Sequence, residues 1–211
     1  MKSIEARTKQ SFLRNEFDAF GKWNIPIIHK SKLSDQNIDL IGFQDTKSND
    51  IDENKEKGVH FFIDDYRMEG VYNNIERSLN KLRQYKFLLT PDFSLYKDMP
   101  EVLQLHNVFK NRWCGAYWQS KGINVIPTIS WGGPSSFAYC FDGIEKGSTV
   151  AVSTIGCKRN NKVSFMQGYN EMLAKIKPET IICFGKPFKE MTGTIIFVDY
   201  LSIRKVNRNG R

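Results

Sequence analysis

Residues 87–129 read FLLTPDFSLYKDMPEVLQLHNVFKNRWCGAYWQSKGINVIPTI, and this stretch decides the fold. Phe87 to Leu89 reads as a short strand. Asp98 is the expected N-cap of a long helix, with Glu101 three residues on as a variant capping box. Pro100 falls in the first turn, where its missing N–H costs nothing. Val102, Leu105, Phe109, Trp113 and Tyr117 keep a three-to-four-residue rhythm, so Trp113 and Tyr117 belong to the core. Gly122 supplies the stop, and Ile123 to Ile129 reads as the next strand. Strand, helix and strand at this spacing form a parallel crossover unit.

The same alternation extends in both directions. Towards the N-terminus, Ile38–Phe43 and Val59–Ile63 read as strands, with the polar stretch 46–58 as a loop between them. Val71, Ile75, Leu79 and Leu82 mark one helix face, and Leu13, Phe17 and Phe20 suggest a short helix near the start. Towards the C-terminus, a short helix at Phe137–Phe141 and a strand at Val150–Val152 come first. A helix with the face Met166, Tyr169, Leu173 and Ile176 follows, closed by Pro178, before strands at Thr180–Phe184 and Thr194–Val198. The expected class is therefore α/β, a mainly parallel sheet with helices on both faces; a small or incomplete β/α barrel is the alternative. The expected organisation is one domain over residues 1–211, with a helical or extended lead-in at 1–35 and a basic tail at 202–211.

Hydrophobic residues make up 40% and charged residues 26% of the 211, which is ordinary globular composition. No apolar run reaches the roughly 18 residues of a membrane helix, so no membrane partner is expected. MKSIEARTKQSF lacks the apolar core of a secretory signal, which makes the cytoplasm the expected location. Cys114, Cys140, Cys157 and Cys183 are too scattered for a disulfide framework or a zinc motif and read as reduced, buried thiols. The net charge of +8 favours polyanionic partners, and part of it is gathered in Arg204, Lys205, Arg208 and Arg211, a candidate nucleic-acid-binding arm.

In parallel α/β proteins ligands bind beyond the carboxyl ends of the strands, where loops and helix N-termini collect. Asp64 and Asp65 stand after one strand, and Asp92 and Ser94 after the next. Asp92, Ser94 and Asp64 are the candidate catalytic residues. No cofactor is evident, but carboxylates meeting at one rim would suit magnesium. Two glycine-containing loops precede helices: Ser130-Trp131-Gly132-Gly133 and Ser153-Thr154-Ile155-Gly156-Cys157-Lys158-Arg159. A loop that feeds a helix N-terminus offers backbone N–H groups to an anion, so Ser130, Trp131, Gly132, Gly133, Ser153, Thr154, Lys158 and Arg159 are candidate ligand-binding residues. Neither loop matches GxxxxGK[ST] or GxGxxG, and no GxSxG or HExxH is present. Trp113, Tyr117 and Trp118 interleave with Arg112 and Lys121, an arrangement that serves either base stacking or the core.

The stretches TPDFSLYKDMP (90–100), NRWCGAYWQSKGINVIPTISW (111–131), FDGIEKGSTVAVSTIGC (141–157) and KPETIICFG (177–185) together resemble an uncharacterised family of bacterial, phage and mobile-element proteins, a domain of unknown function. The resemblance covers residues 87–185, implies a phage or mobile-element setting and supplies no catalytic residues. Two functions remain open. One is the handling of nucleic acid or a phosphorylated small molecule at the strand-end rim. The other is non-catalytic binding to a host or defence protein.

Overall fold

The computed structural model describes residues 10–31, 33, 37–157 and 161–199. Strands β3 (Leu40–Gly42), β4 (Gly58–His60), β5 (Phe87–Leu89) and β6 (Val125–Ile126) lie side by side in that order, all parallel. Strands β7 (Val150–Ser153), β8 (Ile181–Phe184) and β9 (Ile195–Val198) continue the pattern, again parallel. A parallel bridge between Thr128 and Ala151 joins the two sets. The Ile129 N–H donates to the Ala151 carbonyl at 2.8 Å, and the Ala151 N–H donates to that of Pro127 at 2.9 Å. Pro127 can accept but not donate, which is why β6 is interrupted where the sequence predicts strand through Ile129.

The α/β class and the mainly parallel sheet are as the sequence implies. The helices, expected on both faces, pack on one among the described residues: where strand order equals chain order, crossovers of the usual right hand send successive helices to the same side. The core agrees. Ile41, Val59, Leu88 and Val125 pack with Met68, Val71, Ile75, Leu82, Trp113 and Trp118, drawn from helices α3 (Asp65–Asn73), α4 (Ile75–Leu82) and α5 (Glu101–Ser120). Val150, Val152, Ile181 and Cys183 pack with Tyr169, Met172 and Ile176 of α6 (Lys162–Ile176). The opposite face gathers Leu40, Phe87, Leu89, Ile126, Ala151, Ile182, Phe184 and Val198, and no described helix contributes to it. That face curls on itself: the Phe62 and Phe184 rings stack with centroids 4.6 Å apart. In a flat sheet the strands that carry them would stand about 19 Å apart. No closed barrel forms, since β3 and β9 are the two edges of the described sheet.

Several local readings need correction. Asp98 is not the cap of α5: the helix starts at Glu101 behind Pro100, with no side-chain cap. The helix expected over 71–82 is two, α3 and α4, broken at Asn74, whose backbone (φ −143°, ψ 67°) is not helical. The polar stretch 46–58 contains a helical turn, α2 (Asp52–Lys55). Among the described residues of the lead-in, α1 (Gln10–Leu13) is helical, and β1 (Ala19–Phe20) pairs antiparallel with β2 (Ile25–Pro26). That hairpin lies over α5 so closely that a Cβ on Gly115 would come within 2.5 Å of Ile28. Helix α5 is thus covered on nearly all sides, and its polar residues Gln104, Asn107, Lys110, Asn111 and Arg112 are buried with its tryptophans. No described helix is long and apolar enough to cross a membrane.

Candidate functional site at the strand-end rim

The carboxyl ends of β4, β5 and β6 bring Asp65, Asp92, Ser94 and Ser130 together. Asp65 opens α3 and turns back onto the segment after β5, where it accepts the Ser94 N–H at 3.1 Å and the Ser94 hydroxyl at 2.9 Å. The Ser94 hydroxyl also lies 3.1 Å from the Tyr96 hydroxyl. Asn107 of α5 donates to the Ser94 carbonyl at 2.7 Å, which fixes the segment from behind. Asp92 accepts a hydrogen bond from Ser130, while its Oδ1 is shut off from solvent with no partner among the described residues. Burial pushes the Asp92 carboxyl up to about 7; the Ser130 hydrogen bond opposes the rise and the nearby Asp65 charge adds to it. Such a carboxyl changes protonation state near neutrality.

A buried polar brace holds these strand ends in place. Asn111 donates to the Pro91 carbonyl at 2.7 Å and the Thr128 carbonyl at 3.1 Å, and accepts from the Thr90 hydroxyl at 2.9 Å. Thr90 in turn accepts the Thr128 N–H at 2.8 Å, which replaces a ladder bond across Pro127. Arg112, 2% exposed, donates to the carbonyls of Cys140 at 2.7 Å, Asp142 at 3.0 Å and Thr128 at 3.3 Å. Burial pulls its guanidinium down to about 10. Lys110 pairs with Glu69 and lies 4.0 Å from the Phe93 ring centroid. These cations belong to the interior: Arg112 is a tie between loops, and Trp113 and Trp118 are fully buried core.

The glycine loops use most of their donors internally. The Gly132 N–H donates to the Ser136 hydroxyl at 3.1 Å, and the helix that follows is a short 3-10 turn over Pro134–Ala138. Gly132 is packed against Gln104, where a Cβ would come within 2.4 Å of the amide oxygen. Gly133 faces the Lys97 stem at 3.4 Å. Trp131 packs on Phe141 and Phe165. In the second loop the Ile155 N–H goes to the Ser153 hydroxyl, the Thr154 N–H to the Phe184 carbonyl and the Cys157 N–H to the Thr154 carbonyl. The Thr154 hydroxyl donates to the Lys186 carbonyl at 3.0 Å. Ser130 and Ser153 sit at matching levels of adjacent strands, two residues beyond the Thr128–Ala151 bridge.

Asp64, expected at the site, stands apart from it: its side chain is 74% exposed and 3.9 Å from Arg67. Lys158, Arg159, Arg204, Lys205, Arg208 and Arg211 lie outside the described residues. The four cysteines are free thiols, with Cys114, Cys140 and Cys183 buried and Cys157 half-buried. Among the described residues no group of three or more His, Cys, Asp or Glu is placed to hold a metal. The sequence reading missed His60, buried at the end of β4 with its ring 4.6 Å from Phe184 and lowered by burial to about 4.

The family described as Domain of unknown function (DUF4417) matches residues 17–201. The chain belongs to this family. DUF4417 thus extends well past the 87–185 stretch whose motifs carry the resemblance, and takes in the β1–β2 hairpin and the whole parallel sheet. The Gene 1 protein of Mycobacterium phage L5 is 48% identical over 131 residues, covering 61% of this chain and 57% of the phage protein. The Gene 1 protein of Mycobacterium phage D29 is 47% identical over 131 residues, covering 61% of this chain and 48% of its own length. The chain spans about half the length of these curated relatives. No solved structure matches this DUF4417 chain.

Proposed function

We propose that this chain is a cytoplasmic phage or mobile-element protein that handles nucleic acid or a phosphorylated ligand at the strand-end rim, with Asp92 moving a proton. The observation that carries the reading is the Asp92 carboxyl, which is pushed to about 7 beside Asp65, Ser94 and Ser130. A group half-protonated at working pH both gives and takes a proton efficiently. Strongly shifted carboxyls at the carboxyl edge of a parallel sheet are typical of reacting sites. In this proposal Asp65 orients Ser94, Ser130 orients Asp92, and the net charge of +8 draws in the anionic substrate. If magnesium takes part, Asp65 and Asp92 would be the residues to hold it, and it would supply neutralisation of charge on a substrate phosphate.

The test is turnover of single-stranded and duplex oligonucleotides and of nucleotides by the intact protein, with and without magnesium. Asp92→Asn should abolish the activity found while Asp64→Asn leaves it within about twofold. Equal activity of Asp92→Asn and the native chain on every substrate turned over, or no turnover by the native chain, would overturn the reading.

A further inference from the structure

The acids and cations of α3 and α4 part to opposite sides. Glu69 pairs with Lys110, and Glu76 lies 3.5 Å from the Tyr117 hydroxyl, so both face α5. Arg67, Arg77 and Lys81 instead line an open groove of about 360 Å³, with Ser48, Asn74 and Ser78 also on its wall. The lining contains no carboxylate. Arg77 and Lys81 make no ion pair among the described residues; Arg67 has the distant, exposed Asp64 at 3.9 Å and donates its Nε–H to the Tyr66 hydroxyl at 3.0 Å, which leaves its terminal nitrogens for a ligand. Lys81 lies over the ring of Phe43, which also lines the groove, 4.2 Å from its centroid, a contact that favours this position of the ammonium. The break at Asn74 turns α4 relative to α3, so cations that a straight helix would string along its length border one concavity.

A second observation concerns Gly70, which lies inside α3 and lines the same groove. Glycine in a helix interior costs about 1 kcal/mol relative to alanine, and a packed neighbour usually explains it. Here a Cβ would meet nothing within 4 Å among the described residues. Packing among those residues therefore does not require the glycine. Close approach of a ligand to the helix backbone would require it.

We propose that the α3–α4 groove binds a phosphate group, held by Arg67, Arg77 and Lys81 and seated over Gly70. The phosphate comes from a nucleic-acid backbone or from a free phosphorylated compound, and both offer the same tetrahedral anion to forked guanidinium donors. The site is separate from the Asp92 cluster and stands whether or not that cluster is catalytic.

The experiment measures binding of a fluorescent single-stranded oligonucleotide, and separately of inorganic pyrophosphate, to the full chain. The variants are Arg77→Gln, Lys81→Gln and Gly70→Ala, with Lys162→Gln as a control that removes one cation on α6. Arg77→Gln and Lys81→Gln should each weaken binding at least fivefold and lower the log–log salt slope by about one. Lys162→Gln should change it less than twofold. Gly70→Ala should weaken binding while the melting temperature stays level or rises, which separates a ligand contact from a folding defect. Loss confined to the oligonucleotide assigns the nucleic-acid source, and loss in both assays assigns any phosphate. Groove variants that bind like Lys162→Gln, or a native chain that binds neither probe, would overturn the proposal. Turnover at the rim is measured separately from binding at the groove, so failure of the rim chemistry leaves this result readable.

Discussion

Gly168 on α6 faces the indole of Trp131 so closely that a Cβ there would sit 2.3 Å from the ring. The loop after β6 is thereby locked onto the helix after β7, because the Trp131 ring lies directly on the backbone of α6. Gly168→Ala should lower stability by about 1–3 kcal/mol, since forced overpacking exceeds the gain in helix propensity. Chemical denaturation measures it, and a more stable variant would show that Trp131 is free to move aside.

The Arg112 tie makes a larger claim. Arg112→Met would leave the carbonyls of Cys140 and Asp142 buried without this donor, while Asn111 still serves that of Thr128. Each orphaned group costs about 1–3 kcal/mol, so the total loss should be at least about 2 kcal/mol. A loss below about 1 kcal/mol in urea denaturation would mean that water replaces the guanidinium readily.

His60 gives the fold an acid-sensitive element. Its folded value, about 4, lies below the ordinary 6.5 because burial disfavours the charged ring. Between these values the unfolded chain binds the extra proton, so the contribution is whole above about pH 6.5 and lost as pH falls towards 4. His60→Phe keeps a ring against Phe184 and removes the proton site. It should lose less stability than the native chain between pH 7 and pH 5. Equal losses would place the acid sensitivity elsewhere.

The sequence carries much of this fold and less of the site. The starts of β5, β7 and β8 and the buried side of α5 are visible because alternation and helical rhythm are strong there, with Trp113 and Tyr117 buried as expected, although Val102 on the same rhythm is exposed. The order of the strands is not visible, since doubly wound and sequential sheets share one alternation. Asp64 and Asp65 are indistinguishable as neighbouring acids after a strand. Backbone geometry separates them: Asp64 is the extended N-cap residue (φ −62°, ψ 140°) and points to solvent, whereas Asp65 is the first helical residue and turns to Ser94. The glycine loops mislead for a related reason. A loop that suits an anion also suits its own hydroxyls, and Ser136 and Ser153 take the N–H groups first.

The carboxyl titration of Asp92, followed by carbon NMR in the native chain with and without a bound oligonucleotide, tests the central claim most directly. The account predicts a midpoint near 7, well above the ordinary 3.8, and a further rise when phosphates lie beside the carboxyl. A midpoint near 4 that does not move when the oligonucleotide binds would contradict it.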